Sequence, residues 1–162
     1  MKRSFFLLLF LVASGAQAED WITFKPLNQG FSVQLPATPK FPSPGPGQWQ
    51  VFDSLKRLYG VVVTSATPGL EPSEAQLTAI MEGVAKQSNG SIQEKRFFKY
   101  KDFQACEFRI VTLSSQVSAT RIVVTPHRRC VLSFVSSTRN FEEGTMKKFF
   151  DSLKFMEPTP TK

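Results

Sequence analysis

The rhythm of apolar and polar positions changes several times along the chain. An unbroken apolar run fills residues 5–12 (FFLLLFLV). Residues 21–24 then predict a short strand, and 25–30 a turn. Phe31-Ser32-Val33-Gln34-Leu35 alternates at period two, which predicts a half-buried strand. Pro36, Pro39, Pro42, Pro44 and Pro46, with Gly45 and Gly47, forbid regular structure over 36–47, because each proline fixes φ and lacks an amide hydrogen. Residues 48–52 and 57–64 (RLYGVVVT) predict two further strands around a turn at 53–56, the second rich in the β-branched and aromatic types that suit a pleated surface.

After Thr67-Pro68-Gly69 the period becomes helical. Leu77, Ile80, Met81 and Val84 form one apolar stripe. Ser73 and Gln76 are placed for a capping box at its start, and Asn89-Gly90 supplies residues that tolerate the left-handed backbone at its end. Residues 91–100, 103–113, 119–125 and 129–135 predict four more strands, the last three joined by short polar links that imply antiparallel neighbours. Asn140, with Glu143 three positions on, predicts the cap of a second helix with Phe141, Met146, Phe149, Phe150 and Leu153 on its apolar face. Residues 154–156 predict a final short extension. Strands, a helix, a run of strands and a helix make an α+β fold, with helices packed on an antiparallel sheet.

The first apolar run follows Lys2 and Arg3 and precedes Ala16-Gln17-Ala18, small residues at the two positions a signal peptidase reads. That order predicts a signal peptide over 1–18, cleaved between Ala18 and Glu19. The uncharged stretch 4–18 is about 15 residues, short of the ~20 that span a bilayer. A single domain over 19–156 and a disordered tail over 157–162 complete the expected organisation, with no transmembrane segment after signal removal. Taking Lys2 and Arg3 from 20 basic residues against 13 acidic leaves the mature chain at +5. A modest positive balance bears on solubility and on attraction to anionic surfaces, and does not predict a nucleic-acid partner. The dense basic run, Lys95-Arg96 with Lys99 and Lys101, reads as a solvated edge.

An even count of cysteines in an oxidising compartment invites a Cys106–Cys130 disulfide. Both alternate with large apolar residues and so point into the core. If residues 119–125 lie between their strands, two gaps of about 4.8 Å separate the strands by nearly 10 Å. A disulfide needs Cα atoms within about 7 Å. Two buried thiols are expected, with the bridge as the alternative. His127 is the one imidazole and falls in a hairpin turn, where a structural role is expected. A zinc site needs three or four ligands, and no nucleophile elbow, phosphate loop or dinucleotide fingerprint occurs. Glu142 and Glu143 fall at the start of a helix, where the dipole accounts for them.

The phrase Gly30-Phe31-Ser32-Val33-Gln34-Leu35-Pro36, followed by Pro39, resembles the first strand of the PsbP-like superfamily. Arg129-Cys130-Val131-Leu132-Ser133-Phe134-Val135, then Phe149-Phe150-Asp151-Ser152-Leu153-Lys154-Phe155, resembles that family's closing strand and helix, although Cys130 or Val131 stands where the family commonly has Tyr. The resemblance spans nearly all of the mature chain. It implies a central antiparallel sheet with helices packed on both faces, an α/β/α sandwich. It implies docking rather than chemistry, hence no catalytic residue, no metal ligand and no cofactor. The expected function is that of a small exported protein of the periplasm or the secreted fraction. It is expected to be monomeric and non-enzymatic, and to dock on another envelope or secreted protein. Phe41 and Trp49 near the proline-rich loop, and His127, Arg128 and Arg129 in the basic turn, are the candidate docking surface. An enzyme with an unrecognised site, or a binder of anionic lipid or polymer, are the alternatives.

Overall fold

The computed structural model describes residues 20–40, 45–66 and 71–156. Ala18, Glu19, Phe41 and the tail at 157–162 lie outside the described residues. Nine strands and two helices are described, β1 (Ile22–Phe24), β2 (Phe31–Leu35), β3 (Gln48–Phe52), β4 (Leu58–Ser65), α1 (Glu74–Gln87), β5 (Gly90–Tyr100), β6 (Phe103–Thr112), β7 (Gln116–Val124), β8 (Arg128–Ser137), α2 (Glu143–Asp151) and β9 (Lys154–Phe155). All pairings among them are antiparallel.

The strands divide between two sheets, one of order β3-β4-β8-β7-β6-β5 and a smaller one of order β1-β2-β9. The first two predicted strands therefore stand apart from the central sheet. The physical reason is burial. Phe31, Ser32, Val33 and Leu35 of β2 are all buried, so this strand is covered on both sides instead of offering one wet face. The proline-bearing stretch after it releases the chain from one sheet to the other. β5 to β8 follow one another as a meander. β4 pairs with β8, four antiparallel steps from β5, so β4 and β5 run the same way. Such a connection must cross the sheet, and α1 makes the crossing.

α1 forms where the spacing placed it. The Ser73 side chain accepts from the Gln76 amide, and the Gln76 side chain accepts from the Ser73 amide. Leu77, Met81 and Ala85 are its buried stripe, and Ile80 and Val84 flank it. α2 differs from expectation at its start. Glu142, not Asn140, is the N-cap, and it makes no side-chain cap bond. The Asn140 side chain instead donates through Nδ2 to the Leu55 carbonyl at 3.5 Å, and Glu142 turns to the Arg57 guanidinium at 2.9 Å. A charged tertiary partner outcompetes the local cap.

Two apolar clusters result. One joins α1 to Cys106, Phe108, Ile110, Ile122 and Val124. The other joins α2 and the small sheet to Tyr59, Val61, Ala105, Ala119, Val123, Cys130, Leu132 and Phe134. The Tyr59 ring is a hub of the second, edge-on to Trp21, Phe134 and Phe149 at 5.2–5.4 Å. Each such pair adds about 0.5–1.5 kcal/mol beyond burial. The Tyr59 hydroxyl donates to the fully buried Asp53 carboxylate, which also accepts from the Arg57 guanidinium and the Leu55 and Arg57 amides, fixing the β3–β4 turn.

Cys106 and Cys130 are free and buried. β7 separates their strands, as the length of the links implied. Its register adds a second reason. Cys106 stands opposite Ile122 and Cys130 opposite Val123, successive residues that point to opposite faces of the sheet.

Candidate functional site

Charged residues enter the large sheet on three neighbouring strands. Across β5 and β6, Glu94 stands opposite Arg109, and Arg96 opposite Glu107. Across β6 and β7, Glu107 stands opposite Arg121, and Arg109 opposite Ala119. Two rows of alternating sign result, Arg96–Glu107–Arg121 and Glu94–Arg109–Ala119. Opposite charges directly across a strand pair attract, which is what lets such residues sit in a sheet interior. A β-bulge between Ile92 and Glu94 makes the arrangement possible. One extra residue there turns Glu94 and Arg96 onto the face that Arg109 and Arg121 share; without it they would point towards α1.

α2 lies along these rows. Glu143, Met146, Lys147 and Phe150, at helical spacing, wall a cleft of 370 Å³. Its lining holds five cations (Lys95, Arg96, Arg109, Arg121, Lys147) against three carboxylates (Glu94, Glu107, Glu143). Arg121 is the most buried of them, its side chain 4% exposed. Its Nε donates to Glu107, its Nη2 to Asp151 at 2.9 Å, and it sits among the rings of Phe98, Tyr100 and Phe150 at 5.2–5.9 Å. Burial raises the pKa of the Tyr100 hydroxyl, which donates to the Leu153 carbonyl. Arg109 reaches Glu143 and, at 3.4 Å, Glu94, over the Phe141 ring at 4.7 Å. Two nitrogens, Arg109 Nε and Arg121 Nη1, are buried with no hydrogen-bond partner among the described residues. A second depression, of 610 Å³, lies over the small sheet and is lined by Lys25, Ser32, Lys148 and Lys154 among others.

Of the expected docking residues that are described, Trp49 is not brought to the basic turn. Trp49 is buried at 9% exposure against Phe24 and Phe31, so it belongs to the core and presents no surface. A tryptophan beside a proline loop read as exposed because the small sheet that covers it was not foreseen. His127 is exposed in the β7–β8 turn, which closes through Thr125 and Arg128 bonds. The Arg128 guanidinium lies over Gly30, 2.6 Å from where a Cβ would stand, and Arg129 has a buried Nε without a partner among the described residues. Glu142 and Glu143, assigned to the helix dipole, are committed to Arg57 and Arg109. A bond from Thr145, then Arg57, holds the Glu142 carboxyl below its usual range. Among the described residues no group of three His, Cys, Asp or Glu side chains is placed to hold a metal.

Sequence reasoning missed Arg57, Arg109 and Arg121. A signal was present: Glu107 and Arg109 alternate with Cys106, Phe108 and Ile110, so one face of an interior strand had to carry charge.

A second surface lies at the end of the sheet formed by the β3–β4 and β6–β7 turns. Phe52 stands opposite Leu58, and Leu58 opposite Val135. None of the three belongs to either core cluster. Phe52 is 58% exposed, Leu55 52% and Leu113 93%. Asn140 bonded to Leu55, and Thr138 donating to the Ser115 carbonyl at 2.9 Å, tie the two turns to one linker.

No protein-family model and no curated protein matches the chain. Among solved structures, the solution structure of cyanobacterial PsbP (CyanoP) from Synechocystis sp. PCC 6803 superposes with a TM-score of 0.63 at 9% identity, over 87% of this chain and 95% of that one. A crystal structure from Bacteroides thetaiotaomicron VPI-5482 aligns with a TM-score of 0.44 at 12% identity, over 79% of this chain and 46% of its own. The first likeness establishes a fold. It carries no residue of a site across.

Proposed function

Starting from a PsbP-like fold, we propose that this chain is an exported, non-enzymatic docking protein. It engages another envelope protein through the uncovered end of its large sheet. The observation that carries this reading is the stripe Phe52–Leu58–Val135, in register across three strands and outside both cores, with Leu55 and Leu113 exposed in the turns at the same end of the sheet. Large apolar side chains gathered at one exposed end of a sheet mark an interaction site. Lys56 in one turn and Arg139 in the adjoining linker are exposed beside it. The partner is therefore an apolar ridge with an acidic rim. Export rests on the order of charge, apolar run and small residues over 2–18. The chemistry of the nucleophiles agrees with a role without catalysis: burial raises the Cys106 and Cys130 thiols to about 11 and about 12, where they stay protonated and inert. The finer layer order, a helix on each face of the large sheet, is supported by the two clusters drawing on alternate residues of β7.

The test compares retention of a native-envelope protein by three immobilised variants. The captured protein is identified by mass spectrometry and bound again as purified components. Leu55→Asp with Leu113→Asp is expected to lower capture at least tenfold with the melting temperature held. His127→Ala is expected to leave both unchanged, since an exposed turn residue shifts stability by no more than about 0.5 kcal/mol. Loss of capture in Arg128→Glu with Arg129→Glu, with the leucine variant unaffected, would move docking to the basic turn and overturn the reading.

A further inference from the structure

Arg109 stands in the cleft with its side chain 22% exposed, yet both its partners lie in water, Glu94 at 68% and Glu143 at 64% exposure. Ion pairs with so exposed a carboxylate contribute little, because water screens them and the long side chains lose freedom in holding them. Those two carboxylates can leave at little cost. Arg121 beneath is different: it is sealed against Glu107, itself only 13% exposed. The unpartnered Nη1 of Arg121 and Nε of Arg109 are donors that water does not reach. The cleft is positive in sum, five cations against three carboxylates. It has room because Ala119 occupies the row position beside Arg109, where a longer side chain would fill the space. Met146 and Phe150 close it on the core side, 7% and 1% exposed.

We propose that this cleft binds a small organic carboxylate. The carboxylate takes the seat of Glu143 on the Arg109 guanidinium, above the fixed charge of Arg121. Glu143, tethered on the first turn of α2, is then a built-in competitor. A planar carboxylate matches the guanidinium fork, whereas a phosphate dianion would meet Glu94 and Glu107 as well. The site is independent of the docking stripe: Leu58 and Val135 belong to the next row of the sheet, on its other face, and no residue serves both.

Phenylacetate, its neutral amide phenylacetamide and inorganic phosphate are titrated into the mature protein, with backbone amide chemical shifts as the readout. Phenylacetate is expected to give saturable shifts at Arg109, Ala119 and Met146, and the other two probes none. Glu143→Gln removes the competitor and is expected to tighten phenylacetate about two- to fivefold, the equivalent of one exposed ion pair. Arg109→Gln is expected to abolish the response. Arg109→Lys keeps the charge without the fork and is expected to weaken it, so the proposal stays testable if Arg109→Gln does not fold. An equal response to phenylacetamide, a tighter response to phosphate, or no gain in Glu143→Gln overturns the proposal.

Discussion

Cys106 and Cys130 lie on strands separated by one other, and their side chains enter different cores. Strand counting alone placed the pair too far apart to bond. That they also face opposite ways depended on which of Ile122 and Val123 meets which cysteine, a matter of register. Native protein is therefore expected to show no reactive thiol, and unfolded protein two without reductant, by thiol titration. Burial also sets a pH dependence. The folded thiols titrate near 11 and 12, above the ordinary value of 9.0. Below 9 both states keep the proton and stability is unaffected. Above it the unfolded chain ionises first, so stability falls as pH rises through 9 towards 11–12. The urea midpoint is expected to drop between pH 8 and pH 10, and to drop less in Cys106→Ala with Cys130→Ala; an equal drop in that variant would remove the thiols as the cause.

At the scale of elements, two glycines separate local propensity from tertiary demand. Gly83 lies inside α1 with nothing within 4 Å of the position a Cβ would take. Gly83→Ala is expected to stabilise by about 0.5–1 kcal/mol in denaturant unfolding. Gly90 opens β5, where a Cβ would strike Ile110 and stand 3.0 Å from the Val111 carbonyl. Gly90→Ala is expected to destabilise, and the two shifts of opposite sign test the packing of α1 and β5 directly. β5 also shows where sequence reading stops. Period-two alternation followed from Ile92 puts Phe97 on the wrong face; the bulge before Glu94 corrects it and turns Phe97 to the α1 cluster. Nothing in the local sequence marks that bulge, because its cause is the cross-strand match of Glu94 and Arg96 with Arg109 and Glu107.

For the whole molecule, export is the reading with the most direct test. Protein isolated from its native host is expected to begin at Glu19 by mass spectrometry; an intact Met1 form in the cytoplasm would defeat it. Among the described residues no helix is long and apolar enough to cross a membrane. By itself the sequence determined the elements: the bounds of β2 and β3, the capping box of α1, the meander, and a backbone with PsbP-like phrases at its two ends. These rest on local causes, side-chain periodicity, capping chemistry and the constraint of proline on φ, which act within a few residues. Only the tertiary structure decided which strands share a sheet, that Trp49 is core, that Asn140 yields its cap to Glu142, and that three arginines and three carboxylates meet beside α2. Those outcomes depend on pairings between residues far apart in the chain, such as Arg57 with Glu142 and Arg109 with Glu143, and such pairings have no period to read.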